Sequence, residues 1–338
     1  MLAIVDRNRT AASVTLLIVL CGVITLTMQS AMGSLSIYSE SVEARRMQLH
    51  EMILNNELPD GVDSWAEAGA NGTNIRIATV YLAEAMHQVL GVSVIHSYWM
   101  IDTVCLFATM LLLYFFLLNW LPNHYAMVGL LYVASVLPLT YLFVLFHPWD
   151  RLSLLSWVAL LMLVRSRRIF SLGIVLALSV TIKYDVVLLP GLYWLAHVTR
   201  KRFMRTSIET VALFVVSFGV YFGLRAMLPG GFGGSGMGDL VLQNLQRMVE
   251  LTVYFPPIAY PPLLVFLLPV LLIIIGFPRE DRFLRGAIIY AAVVICYFFV
   301  ASRFEEVRAH MPLLFMILPA SLLSLQGLLE TTRSQTDA

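Results

Sequence analysis

Ionisable residues are scarce in this sequence, and they gather in short polar segments between apolar runs. Glu40, Glu43, Arg45, Arg46 and His50 follow the first run. His147, Asp150 and Arg151 flank a Pro148-Trp149 step, Lys183 and Asp185 interrupt a later run, and Arg303, Glu305, Glu306, Arg308 and His310 precede the last. Charged groups at the edge of hydrocarbon are costly, so they pair with one another or line a functional cavity. Several such segments brought to one face predict a polar chamber. Each also has a plainer role. Asp150 is a good N-cap for the helix after it. Lys183 and Asp185 can satisfy each other at a hairpin tip, Arg308 and His310 can snorkel to an interface, and Glu43 can sit on the solvent face of a surface helix.

The elements that carry these residues are set by composition. The chain has 338 residues, 59% hydrophobic and 13% charged, with a mean hydropathy of +0.82. Soluble domains run at roughly 45–50% apolar and about 25% charged, so the fold class expected is all-α, a polytopic membrane protein forming one integral membrane domain over 1–338. A formal net charge of +1 excludes a nucleic-acid partner held by bulk charge. Cys21, Cys105 and Cys296 lie inside apolar runs with neither metal-ligand spacing nor a loop partner, which predicts helix packing for them. The glycines between Gly230 and Gly238 follow an apolar run instead of a strand, so no phosphate-loop fingerprint is met.

Lys and Arg flanking membrane helices stay cytoplasmic. Arg7 and Arg9 therefore fix a cytoplasmic N-terminus, and the run Ala11–Met28 is expected as a retained anchor. The segment 37–97 then lies outside, and alternation continues through spans near Tyr98–Asn119, Tyr125–Phe146 and Leu152–Val164. Ile169–Val198 lies between two basic clusters, Arg165, Arg167, Arg168 and Arg200, Lys201, Arg202, Arg205. Both of its ends should be cytoplasmic. About 30 residues supply two short helices of roughly 20 Å each, with the polar break Thr181–Asp185 as the turn. Ser207–Leu228, Pro262–Phe277, Gly286–Ala301 and Met311–Leu329 complete about ten crossings, with a Gly/Pro-rich outer loop over 229–261 and a cytoplasmic C-terminus.

Within 37–97, Val42, Leu49, Met52 and Ile53 recur at helical spacing opposite Glu43, Arg46 and His50. Ile75, Ala78, Leu82, Met86 and Val89 do the same opposite Arg76, Glu84 and His87. Two amphipathic helices lying along the membrane surface are expected. With the orientation above, the polar segments Glu40–His50, His147–Arg151, Lys183–Asp185 and Arg303–His310 all fall on the outer side.

A first outer loop with two surface helices, a short dipping hairpin and charges gathered on the outer face resemble the GT-C class of membrane glycosyltransferases. The residues that carry the resemblance are Glu40 and Glu43, Pro148-Trp149-Asp150-Arg151, Lys183, and Arg303-Phe304-Glu305-Glu306-Val307-Arg308. Many members have an Asp soon after the first helix; here no Asp precedes Asp60 in the loop, and Glu43 or Glu40 stands in its place. The resemblance implies transfer of a sugar from a polyprenyl-phosphate-linked donor to a glycan, lipid or protein acceptor, at the outer face of a bacterial inner (plasma) membrane. It makes Glu43, then Glu40, the base for the acceptor hydroxyl. Lys183, Arg303 and Arg308 become the ligands of the departing phosphate, with Arg46, His50, His147, Asp150, Arg151, Asp185 and Glu306 lining the substrate site. No cofactor is required by the pattern, although an anionic donor leaves room for a divalent metal. A polysaccharide polymerase or ligase, a lipid or solute transporter, and a non-catalytic membrane scaffold are the alternatives.

Overall fold

The structure, a computed structural model, describes residues 2–34, 36–58, 75–141, 149–228, 237–254, 261–276, 281–301 and 307–336. Among them all regular structure is helical. In order come α1 (Leu2–Ser34), α2 (Ser36–Asn55), α3 (Ile77–Leu90), α4 (Val94–Leu117), α5 (Asn123–Val136), α6 (Asp150–Ser166), α7 (Ile169–Ile182), α8 (Leu189–His197), α9 (Phe203–Met227), α10 (Met237–Tyr254), α11 (Pro261–Ile275), α12 (Arg282–Ala301) and α13 (Val307–Thr336). Among the described residues, five stretches are long and apolar enough to cross a membrane: Ser13–Ala31, Val94–Leu117, Arg200–Met227, Arg282–Val300 and Val307–Thr332. Ile169–Ile182 and Val265–Ile275 are shorter apolar helices. This set is compatible with an integral membrane protein. α13 is central and α9 peripheral, with 67% and 17% of their apolar windows buried.

Local chemistry accounts for the joints. Ser93 caps α4, its hydroxyl accepting from the His96 amide at 3.3 Å, the usual N-cap bond. Arg167 adopts the left-handed conformation, φ 58°, and turns the chain directly from α6 into α7. At the far end of α7, Lys183 is extended and a 3₁₀ turn, Tyr184–Leu188, follows. Pro190 then opens α8, where its missing N–H costs nothing. A ring nitrogen of His197 lies 2.6 Å from the Val164 carbonyl oxygen. The end of α8 thus returns to the end of α6, where α7 begins, and the segment 169–198 doubles back as the two basic clusters require. Gly286 of α12 permits that return arm to pack, since a Cβ there would meet backbone atoms of Leu195 and Ala196 at 3.0 Å.

Pro269 lies inside α11 and cannot bond the Val265 carbonyl; the Tyr132 hydroxyl donates to that oxygen instead, at 2.8 Å. Ser321 and Ser324 of α13 donate to the carbonyls of Pro269 and Gly276 at 3.1 and 2.6 Å. A helix with an internal proline is therefore held by hydroxyls from its neighbours.

Three expectations are corrected. The stretch 229–261 holds an 18-residue helix, α10, whose Asn244 donates to the Phe299 carbonyl of α12 at 2.7 Å. In α2, Arg46 and His50 are buried together with Leu49, Met52 and Ile53, and the exposed face is Ala44, Gln48 and Glu51. A buried acid on α4 draws Arg46 inward. In α3 the buried face is Thr79, Val80 and Ala83, whereas Leu82 and Val89 are exposed. Of the rest of the expected stripe, Ile75 is buried and Ala78 and Met86 pack against buried neighbours.

Candidate functional site

The first turn of α6, the break between α7 and α8, and the first turn of α13 meet at one end of the bundle. Asp150 lies at their centre. Arg308 Nη1 is 3.3 Å from Asp150 Oδ2, and Lys183 Nζ is 3.8 Å from Asp150 Oδ1 and 3.6 Å from Asp185 Oδ2. These are ion-pair distances, longer than good charge-assisted hydrogen bonds of about 2.7–2.9 Å. Lys183 and Asp150 are buried nonetheless. The break in the helix is what brings Lys183 here: its amide still donates to the Ser179 carbonyl at 2.9 Å, but its extended backbone ends α7 and turns Asp185 into the same space.

A cavity of about 240 Å³ opens beside this cluster. Arg76, Lys183, Asp185 and Arg308 line its polar side, and Tyr184, Tyr221, Tyr297, Phe218 and Phe298 its apolar side. Arg76, immediately before α3, lies with its guanidinium carbon 4.6 Å from the Trp149 ring and 5.2 Å from the Tyr184 ring, a cation–π seat that holds a charge where carboxylates are few. Among the described residues, the cations lining or bordering the cavity (Arg76, Lys183, Arg308) outnumber the carboxylates (Asp150, Asp185). Asp185 Oδ1 is buried and has no hydrogen-bond partner among them. The arrangement suits an anion with a hydroxyl-bearing neighbour.

Behind the chamber lies a second, drier layer. Arg46 Nη2 of α2 bonds Asp102 Oδ2 of α4 at 2.7 Å, with both side chains almost fully buried. Arg46 also approaches the Tyr98 and Trp99 rings at 5.8 and 5.9 Å. Arg151, buried next to Asp150, interacts electrostatically with Asp102. His50 joins the Tyr98 hydroxyl at 2.9 Å and Glu84 at 3.2 Å. Gln88 donates to Glu84 at 2.7 Å, and that bond, followed by the pairing with His50, holds the Glu84 carboxyl below its ordinary value.

Of the residues singled out in the sequence, Asp150, Lys183, Asp185 and Arg308 come together at the chamber, with Arg151 behind it. Arg46 and His50 are tied to Asp102, Tyr98 and Glu84 and do not line the cavity. Glu43 is half-buried on α2 and is also not a lining residue. Glu40 belongs to α2 by its backbone, its side chain falling outside the described residues, as do His147, Arg303, Glu305 and Glu306. Sequence reasoning missed Asp102 and gave Arg76 no role in the site. Asp102 had a usable signal, being the lone carboxylate of a 24-residue apolar helix, a position that calls for a partner. Among the described residues, no group of three or more His, Cys, Asp or Glu side chains is arranged to hold a metal ion.

No protein-family model matches the chain, and comparison with curated proteins and with solved structures returns no match.

Proposed function

We propose that this chain is an integral membrane glycosyltransferase of GT-C type. In this reading it makes about ten crossings, keeps both termini in the cytoplasm of a bacterial cell, and transfers a sugar from a polyprenyl-phosphate donor to a glycan, lipid or protein acceptor at the outer face. The observation that carries the reading is that, among the described residues, a cavity has more cations than carboxylates around it, an aromatic wall and an unpartnered oxygen on Asp185. Pockets for drug-sized ligands run at about 300–1,000 Å³. A cavity of about 240 Å³ suits a sugar phosphate, with the prenyl chain left outside in lipid against Phe218, Tyr221, Tyr297 and Phe298.

In the transfer step the acceptor oxygen bonds to the anomeric carbon, the bond from that carbon to the phosphate oxygen breaks, and the acceptor proton passes to a carboxylate. Polyprenyl phosphate leaves carrying the electron pair. Arg76, Lys183 and Arg308 stabilise the charge that grows on it, and do so strongly because the site is poorly hydrated. Asp185 displaces Glu43 as the first candidate for the base, since it lines the cavity and has a free oxygen. Asp150 holds Lys183 and Arg308 toward the cavity.

The test is transfer in proteoliposomes from polyprenyl-phosphate sugars. Asp185→Asn keeps the side chain's size but cannot accept the proton, and should lower turnover by at least about 10²-fold with folding intact. Arg76→Ala should raise the KM for donor. A donor that wild type and the Asp185 variant use at the same rate would remove Asp185 as base, and absence of transfer with every donor would remove the glycosyltransferase reading.

A further inference from the structure

At the opposite end of the bundle, the turn from α8 into α9 forms an open pocket of about 540 Å³ lined by His197, Thr199, Arg200, Lys201, Arg202 and Arg282. Thr199 shapes it: its hydroxyl accepts from the Arg202 amide at 3.2 Å and holds three successive basic residues in a single 3₁₀ turn. Arg167 also lines the pocket and is paired with Glu209, and Arg165 nearby is paired with Asp281. Arg200, Lys201, Arg202 and Arg282 are exposed, and among the described residues no carboxylate lies within ion-pair distance of them.

The surface leading away from this pocket is apolar. Phe203, Met204, Ile208, Val211 and Val215 of α9 are all exposed, by 51% to 70%, and their spacing puts them in one stripe. From Phe203 to Val215 the stripe runs about 18 Å along the helix, a length suited to an acyl chain. A concentrated positive pocket continuous with a long apolar stripe has the two-part form of an anionic phospholipid.

We propose that this pocket and the outer face of α9 form a binding site for an anionic phospholipid, with the phosphate held by Arg200, Lys201, Arg202 and Arg282 and an acyl chain lying along α9. The site is separate from the chamber and does not depend on the transferase reading. With no carboxylate among the described residues at ion-pair distance from these four cations to receive a choline group, charge sets the preference.

The test uses the full-length protein, purified in neutral detergent and stripped of lipid, with bound lipid counted by native mass spectrometry. Phosphatidylglycerol should bind at least about tenfold more tightly than phosphatidylcholine, and its advantage should shrink as salt is raised. The combined variant Arg200→Gln/Lys201→Gln/Arg202→Gln/Arg282→Gln should lose that preference, and the single Arg202→Gln, which touches one exposed side chain, should weaken phosphatidylglycerol binding about fivefold. Arg247→Gln, an exposed change on α10 near the chamber end, should leave it unchanged. Equal affinity of wild type for the two lipids, or undiminished preference in both pocket variants, would overturn the proposal. So would an equal loss in Arg247→Gln. Inorganic phosphate displacing phosphatidylglycerol at equal concentration would assign the pocket to a soluble anion and overturn it as a lipid site.

Discussion

Asp150 at the chamber end and Glu209 at the basic end are both carboxylates among cations, yet they are held differently. Glu209 receives the Tyr193 hydroxyl at 2.6 Å, Arg205 at 2.8 Å and Arg167 at 3.0 Å. Those short bonds join the α6–α7 turn, α8 and α9 and leave little hydrogen-bonding capacity. Asp150, Lys183, Asp185 and Arg308 stand 3.3 to 3.8 Å apart around a cavity. A saturated carboxylate locks helices together; a cluster of longer ion pairs beside a cavity turns Lys183, Asp185 and Arg308 toward that space. The first arrangement is structural and the second is suited to binding, although the residue types are nearly the same.

The strongest way to break this comparison acts behind the chamber. Asp102→Ala leaves Arg46 buried without its carboxylate and should cost about 3–5 kcal/mol, read as unfolding of the detergent-solubilised protein; a loss comparable to that of a surface pair, below about 1 kcal/mol, would show that Arg46 escapes to water. Glu209→Gln comes next. Its bonds from Arg167 and Tyr193 weaken, and a cost of about 1–3 kcal/mol is expected, with faster proteolysis of the 169–198 hairpin as the accompanying sign. Arg308→Gln should cost less than Glu209→Gln, because Lys183 stays beside Asp150 when Arg308 is removed, whereas Glu209 serves three donors. A larger loss than for Glu209→Gln would reverse the assignment of lock and ligand site.

The smallest effect depends on pH. Gln88 and His50 keep the Glu84 carboxyl below its ordinary value, so its contribution to stability is present above the unfolded-state value and disappears as pH falls through the folded-state value. The melting temperature of Glu84→Gln should therefore trail wild type at neutral pH, and the gap should close in the acid range. A gap that stays constant with pH would mean that packing, not charge, sets the difference.

Much of the helical layout was legible because apolar runs and basic clusters carry it. The doubling back of 169–198 could be read from Arg165–Arg168 and Arg200–Arg205, since two basic flanks require an even number of crossings. The chamber was legible in part: Asp150, Lys183, Asp185 and Arg308 were readable as polar breaks in apolar sequence. The Arg46–Asp102 pair was not, because its partners are 56 residues apart and α2 has a polar face that looks solvated from spacing alone. Periodicity failed in part in α3, where Thr79, Val80 and Ala83 are inside and Leu82 and Val89 outside; the small Ala83 suits the close approach to α4. α10 was hidden by the glycines and prolines on either side of it.

The central claim is that the cations lining the chamber receive a lipid-linked phosphate. A structure of the full-length protein with polyprenyl phosphate tests it most directly. The phosphate is predicted to lie in the cavity, its oxygens within hydrogen-bonding distance of Lys183 and Arg308, with the prenyl chain leaving past Tyr221 and Phe298. A phosphate bound only beside Arg200–Arg202, or on the outer surface with the chamber cations still facing their own carboxylates, would contradict the account.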